Sequence, residues 1–258
     1  MPLGIGGVLL LIAFSAITGV DLFALLGLGG GAQTGPAPAP PSQADLAAEE
    51  DHVRFVSFVL DDVQSTWSTM FSQSGLTYPE ARLVLYRDAV ETACGVAPAA
   101  VGPFYCPPDT SVYLDLSFYE TLRERYGASG DFAEAYVIAH EIGHHVQQVT
   151  GTMDAVRTEQ QARPANANRL SVALELQADC YAGVWAASAD ARSIMSHGDL
   201  EEGLNAAAAV GDDRLGHAAG RTPHQETFTH GSSEQRMAWF RTGFDTGDPS
   251  ACDTFGAR

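Results

Sequence analysis

Residues 137–151 read VIAHEIGHHVQQVTG, and this stretch decides what the chain builds. It holds three of the eight histidines, with Glu141 directly after the first. His140-Glu141-Ile142-Gly143-His144 fits H-E-x-x-H. On a helix, positions i and i+4 project from one face about one turn apart. His140 and His144 can therefore bind one zinc ion, and Glu141 can reach a water beside it. The bland alternative is a pair of ordinary histidines on an amphipathic helix. His145 points about 100° away from His144 and is expected at the surface or as a support behind the ligands.

A catalytic zinc site needs three protein ligands and one open position. A second helix, expected over about residues 166–189, offers the third in ELQAD. Glu175 and Asp179 are again four apart and share a face. One carboxylate can bind zinc while the other accepts the free N–H of a ligand histidine and fixes its tautomer. The rest of this helix is apolar (Leu174, Leu176, Ala178, Tyr181, Val184, Trp185). Two carboxylates on its buried side would be costly without a cation; the alternative is a solvated acidic face.

The 258 residues suffice for one sizeable domain. The net charge is −18 and every basic residue is arginine, which argues against nucleic acid as a partner. Leu3 to Val20 is an uncharged apolar run, about the minimum to cross a bilayer as a helix. It predicts a transmembrane anchor or uncleaved signal over residues 1–26. A Gly/Ala/Pro linker follows over 27–41, and the main domain spans 42–258. The expected location is a single-pass cell-membrane protein with the domain extracytoplasmic. The first basic residue is Arg54, which leaves the positive-inside rule nothing to act on. Four cysteines on an exported chain suggest disulfides. Cys94 and Cys106 flank a short loop, leaving Cys180 with Cys252; four buried thiols are the alternative.

Periodicity predicts a helix from about Ala44 to Gly75, with Phe55, Val59, Val63, Trp67 and Met70 on one face. ARLVLYRD, GPFYC and SVYLDL read as three strands of a small antiparallel sheet. The active helix is expected over 131–150, and the polar stretch Thr152 to Ala165 as a loop or lid. Two more helices follow, one starting at an Asp199 cap and one capped by Ser232 or Ser233.

CGVAPAAVGPFYCPPDTSVYLDLSFYETL, AYVIAHEIGHHVQQVTG, ELQADCYAGVWA, GDLEEGLNAAAAVGDDRLG and FTHGSSEQRMAWFRTGF together resemble the bacterial neutral zinc metallopeptidases over nearly the whole chain. The resemblance implies an α+β, zincin-like fold of minimal gluzincin type, mostly helical with a small sheet. It also implies peptidase chemistry on a peptide or protein substrate, a membrane anchor, and an edge strand, here SVYLDL, that pairs with extended substrate. On this reading Zn2+ is held by His140, His144 and Glu175, Asp179 orients a ligand histidine, and Glu141 is the general base of a zinc metalloendopeptidase. Gluzincins often add an oxyanion donor; His230 is expected in that role, its alternative being a helix-junction contact. Arg236 is expected to pair with Asp212 or Asp213. His197, His217 and His224 are expected at the surface, and Tyr136 and Tyr181 in helix packing, a donor role being their alternative. Two other functions fit the same residues: a non-proteolytic metal-stabilised scaffold at the cell surface, which has no need of Glu141, and a zinc amidase on cell-wall peptides.

Overall fold

The computed structural model describes residues 43–98 and 101–256. The segments expected as anchor (1–26) and linker (27–41) lie outside them. Among the described residues no helix is long and apolar enough to cross a membrane. That finding overturns the single-pass membrane location expected from the sequence. The physical reason lies in how the described helices divide their faces. The longest, α1 (Gln43–Gln73), buries Val56, Val59, Val63, Trp67 and Phe71 at helical spacing and leaves charged side chains to solvent. Gly75, at φ 72°, ends the segment where periodicity placed its stop.

Three strands, β1 (Arg82–Tyr86), β4 (Phe104–Cys106) and β5 (Ser111–Asp115), form a mixed sheet in the order β1-β5-β4. β5 runs parallel to β1, with Val84 opposite Tyr113, and antiparallel to β4, with Tyr105 opposite Val112. This corrects the expected antiparallel sheet. It also corrects the expected edge strand: SVYLDL is the buried centre, and β4 and β1 are the edges. A parallel pair needs a crossover, here supplied by a hairpin that sequence reading did not find. The hairpin comprises β2 (Ala89–Thr92) and β3 (Gly95–Pro98). The Cys94–Cys106 disulfide ties its turn to β4.

The remaining helices are α2 (Phe118–Glu124), α3 (Asp131–Val149), α4 (Thr152–Ala162), α5 (Ala167–Ala191), α6 (Asp199–Ala209), α7 (Asp212–Ala218) and α8 (Ser233–Thr246). α4 occupies the stretch expected as a loop. A helix on the surface needs little apolar sequence, and α4 buries only Val156. Asp199 lies inside the first turn of α6 with Gly198 as the cap, so the expected aspartate cap is displaced by one residue. Ser232 caps α8 through a capping box with Gln235.

α5 and α8 run side by side in the same direction, as the contacts Asp179–Arg236, Gly183–Phe240 and Ala187–Gly247 show. Their backbones nearly touch. A Cβ on Gly183 would lie 2.0 Å from the Phe240 carbonyl oxygen, and one on Gly243 1.9 Å from that of Cys180. The second disulfide, Cys180–Cys252, then straps the C-terminal segment onto α5. The main core lies between α1, the sheet, α3 and α5, with Trp67, Tyr136, Ile138, Ile142 and Leu114 among its buried side chains.

His145 is neither a surface residue nor a support behind the ligands, as sequence reading expected. It is fully buried, with Nε2 2.6 Å from the Pro79 carbonyl oxygen and Nδ1 2.9 Å from the Tyr105 hydroxyl. A carbonyl can only accept, so Nε2 donates and Nδ1 takes the tyrosine proton. Burial accordingly holds its pKa below the ordinary histidine value. The ring staples α3 to β4.

Candidate metal centre

α3 and α5 supply the centre, and their closeness depends on Gly143 of HEIGH. A Cβ there would stand 3.0 Å from both the Cα and the carbonyl oxygen of Ala178. With hydrogen in that place, the ligand face of α3 meets Glu175. His140 Nε2 lies 3.3 Å from one Glu175 carboxylate oxygen and His144 Nε2 3.5 Å from the other. The three donor atoms lie within 4.8 Å of one another.

What stands behind each imidazole decides which nitrogen faces inward. His140 Nδ1 is 2.8 Å from Asp179, which is fully buried and also accepts from the Tyr136 hydroxyl at 2.5 Å. His144 Nδ1 is 2.9 Å from Gln147 Oε1. The Gln147 amide has a fixed orientation, because its Nε2 donates to the Leu174 carbonyl (2.7 Å) and to Gln177 Oε1 (3.1 Å). Gln177 is fixed in turn by donating to the Cys252 carbonyl at 2.9 Å. Gln147 Oε1 can therefore only accept, and His144 Nδ1 must carry the proton. Both rings thus commit Nδ1–H outward and turn Nε2 toward Glu175.

Two nitrogen lone pairs and a carboxylate converge here, approached by Arg236 only at 3.5 Å from His140 Nε2 and 3.9 Å from Glu175, and a cation between them would balance the set. A proton can serve. Burial disfavours charge on His140, but the neighbouring Asp179 and Glu175 carboxylates outweigh it and raise its pKa to about 9. A divalent ion serves both imidazoles at once, and His2Glu is the set that zinc takes with one position left open. The Glu175 carboxyl is held well below the usual range, burial being outweighed by His144, His140 and Arg236.

Glu141 follows His140 on α3 and is mostly buried. Among the described residues its carboxylate accepts no hydrogen bond and joins no ion pair. His230 lies on the turn before α8, with a half-exposed side chain whose Nδ1 is 3.1 Å from Asp212. That bond raises its pKa against burial, and Glu175 adds to the rise. Among the described residues its Nε2 has no hydrogen-bond partner.

Arg236 does not pair with Asp212 or Asp213 as expected. Asp212 instead accepts the backbone N–H groups of Thr229, His230 and Gly231, and Asp213 accepts from Ser233. Arg236 turns inward to Asp179. His197, His217 and His224 are exposed as expected. Tyr136 and Tyr181 are buried, the latter edge-on to Trp67. Gln147, Gln177, Tyr136 and Arg236 are the site residues that sequence reading did not assign to the centre. Gln147 and Tyr136 left a signal, lying three residues beyond His144 and four before His140 on the same face.

Residues 2–255 match a family whose description is "Putative neutral zinc metallopeptidase". The chain is 47% identical over 261 residues to the uncharacterised protein YpfJ of Escherichia coli, covering 99% of this chain and 88% of that protein. It is 44% identical over 208 residues to an uncharacterised protein of Mycobacterium tuberculosis, covering 76% of this chain and 68% of that one. No solved structure matches it.

Proposed function

The chain belongs to the neutral zinc metallopeptidase family, and from that premise we propose that it is a zinc metalloendopeptidase acting on peptide or protein substrates. His140, His144 and Glu175 would hold the ion. The observation that carries this reading is the inward turn of both Nε2 atoms onto Glu175, each enforced by an acceptor behind the ring. Zinc supplies a Lewis acid and lowers the pKa of a water to about 7.

The chain's own groups do the rest. Glu141, left without a partner, takes a proton from the attacking water and returns it to the leaving amine. Asp179 and Gln147 keep the two Nδ1 protons in place, so that neither ring turns. His230, protonated on both nitrogens with Asp212 accepting from Nδ1–H, would offer Nε2–H to the developing oxyanion. Among the described residues β4 has a strand on one side only, and Tyr105 ties it to α3. Its free edge is where an extended peptide would add by backbone pairing. We read the arrangement of α1, sheet, α3 and α5 as a zincin core of gluzincin type. An unpartnered Glu141 favours an enzyme over a metal-stabilised scaffold.

The test is metal content by mass spectrometry together with cleavage of an unfolded protein substrate. One zinc per chain is expected, lost in Glu175→Ala and kept in Glu141→Gln, with cleavage about a thousandfold lower in the second variant. Undiminished cleavage by zinc-loaded Glu141→Gln would sink the mechanism.

A further inference from the structure

Arg236 carries a full charge into the same buried region and is 2% exposed. Its Nε and one Nη lie 2.8 and 2.9 Å from the two oxygens of Asp179. That Nη is also 3.1 Å from the Tyr136 hydroxyl, 3.3 Å from His140 Nδ1 and 3.9 Å from Glu175. The other Nη donates to the Val210 carbonyl at 3.2 Å, at the end of α6. One guanidinium of α8 thus touches α3, α5 and the end of α6.

Glu175 and Asp179 are two carboxylates one turn apart in a nearly dry interior. A buried anion is tolerated only when paired. A metal ion would balance Glu175 directly and Asp179 through His140. Until one arrives, Arg236 is the only fixed cation among the described residues in contact with either. It forms a two-pronged pair whose flat geometry fits a carboxylate and restricts its rotation.

We infer that Arg236 is the resident counter-charge of this centre, a positioning residue that keeps Asp179, and through it His140, in the ligating arrangement while no metal is bound. The ligand set is then assembled by the protein and not by the ion. The inference rests on the metal-site reading above.

Thermal unfolding of the full chain, in chelator and in excess zinc, tests it. The parent is expected to melt cooperatively in chelator and to gain stability with zinc. Arg236→Met is expected to lose about 10 °C in chelator and clearly less in zinc. The double variant Arg236→Met/Asp179→Asn, which removes both charges, is expected to recover at least half of the loss in chelator. Equal losses with and without zinc, or a double variant no better than the single, would show that Arg236 only fills space and overturn the inference. If Arg236→Met is unfolded in chelator, recovery by zinc or by the second substitution upholds the inference, and failure of both overturns it. A parent indifferent to zinc would instead fault the metal reading, and the inference with it.

Discussion

Gly143 of α3 and Ala178 of α5 lie so close that a single added methyl would meet backbone atoms at 3.0 Å. The neighbour is main chain and cannot swing aside, so the helices themselves would have to part. Since His140 and His144 flank Gly143, and Glu175 and Asp179 flank Ala178, parting the helices opens the ligand cage. Gly143→Ala is expected to cost about 1–3 kcal/mol of stability by overpacking, even though alanine is the better helix former. It should also weaken zinc binding at least about tenfold, since ligand geometry is held within tenths of an ångström. Competition with a chromogenic chelator checks the second effect and a urea melt the first.

His144 depends on Gln147 for its orientation. Gln147→Met keeps the bulk and removes the acceptor for Nδ1–H. Loss of such a partner behind a ligand histidine typically weakens metal binding about 10–100-fold. Gln177→Met, one step further out, should weaken it less, because Gln147 keeps its bond to Leu174. Chelator competition across the two variants ranks them, and the reverse order would refute the relay.

Glu134, on the turn of α3 remote from the ligands, supplies a pH dependence. Burial, with Asp131 adding to it, raises its pKa from 4.5 to about 7 against the pull of Arg123. Its oxygen lies 3.1 Å from His52 Nε2, and burial holds His52 below its ordinary value. A protonated Glu134 facing a neutral imidazole fits both directions. The folded pKa lies above the unfolded one, so the stabilising contribution is complete below about 4.5 and is lost as pH rises through about 7. Glu134→Gln, a neutral stand-in for the protonated acid, should flatten the stability profile over that range in urea melts.

The two disulfides should differ in worth. Cys180–Cys252 closes a loop of 72 residues and Cys94–Cys106 one of 12. In the chain-entropy account these correspond to about 4 and about 3 kcal/mol. Paired Cys→Ser variants, unfolded in urea, should show the larger loss at Cys180/Cys252. That variant should also bind zinc more weakly, because the Cys252 carbonyl anchors Gln177. The Cys94/Cys106 variant should not.

The His140–His144–Glu175 cluster was legible because each half of it is local. His140 with His144, and Glu175 with Asp179, announce themselves by helical spacing alone; Cys94–Cys106 and the Ser232 cap followed from short-range pattern, and Cys180–Cys252 was the pair left over. What stayed hidden is the pairing between distant segments. Arg236 meets Asp179 across 57 residues and His140 across 96, and nothing in SSEQR distinguishes an inward arginine from an outward one. Asp212 and Asp213, close in sequence, were the wrong partners because the turn's own N–H groups claim Asp212 and Ser233 claims Asp213. Strand order was misread because alternation identifies a strand without naming its neighbours. β5 looks like an edge until β1 and β4 are seen on either side of it. α4 was taken for a loop because a helix burying one valine has almost no apolar period to detect.

The amide chain from His144 through Gln147 and Gln177 ends on Cys252, and the guanidinium on Asp179 belongs to residue 236. Both supports are translated after every ligand. While the polypeptide is still growing, His140, His144 and Glu175 can already be present with neither ring locked and no counter-charge in place. The ordered cluster therefore waits on residues 236 and 252, well behind the side chains they support. A nascent chain of this protein carries His140, His144 and Glu175 out of the ribosome before the contacts that orient them exist.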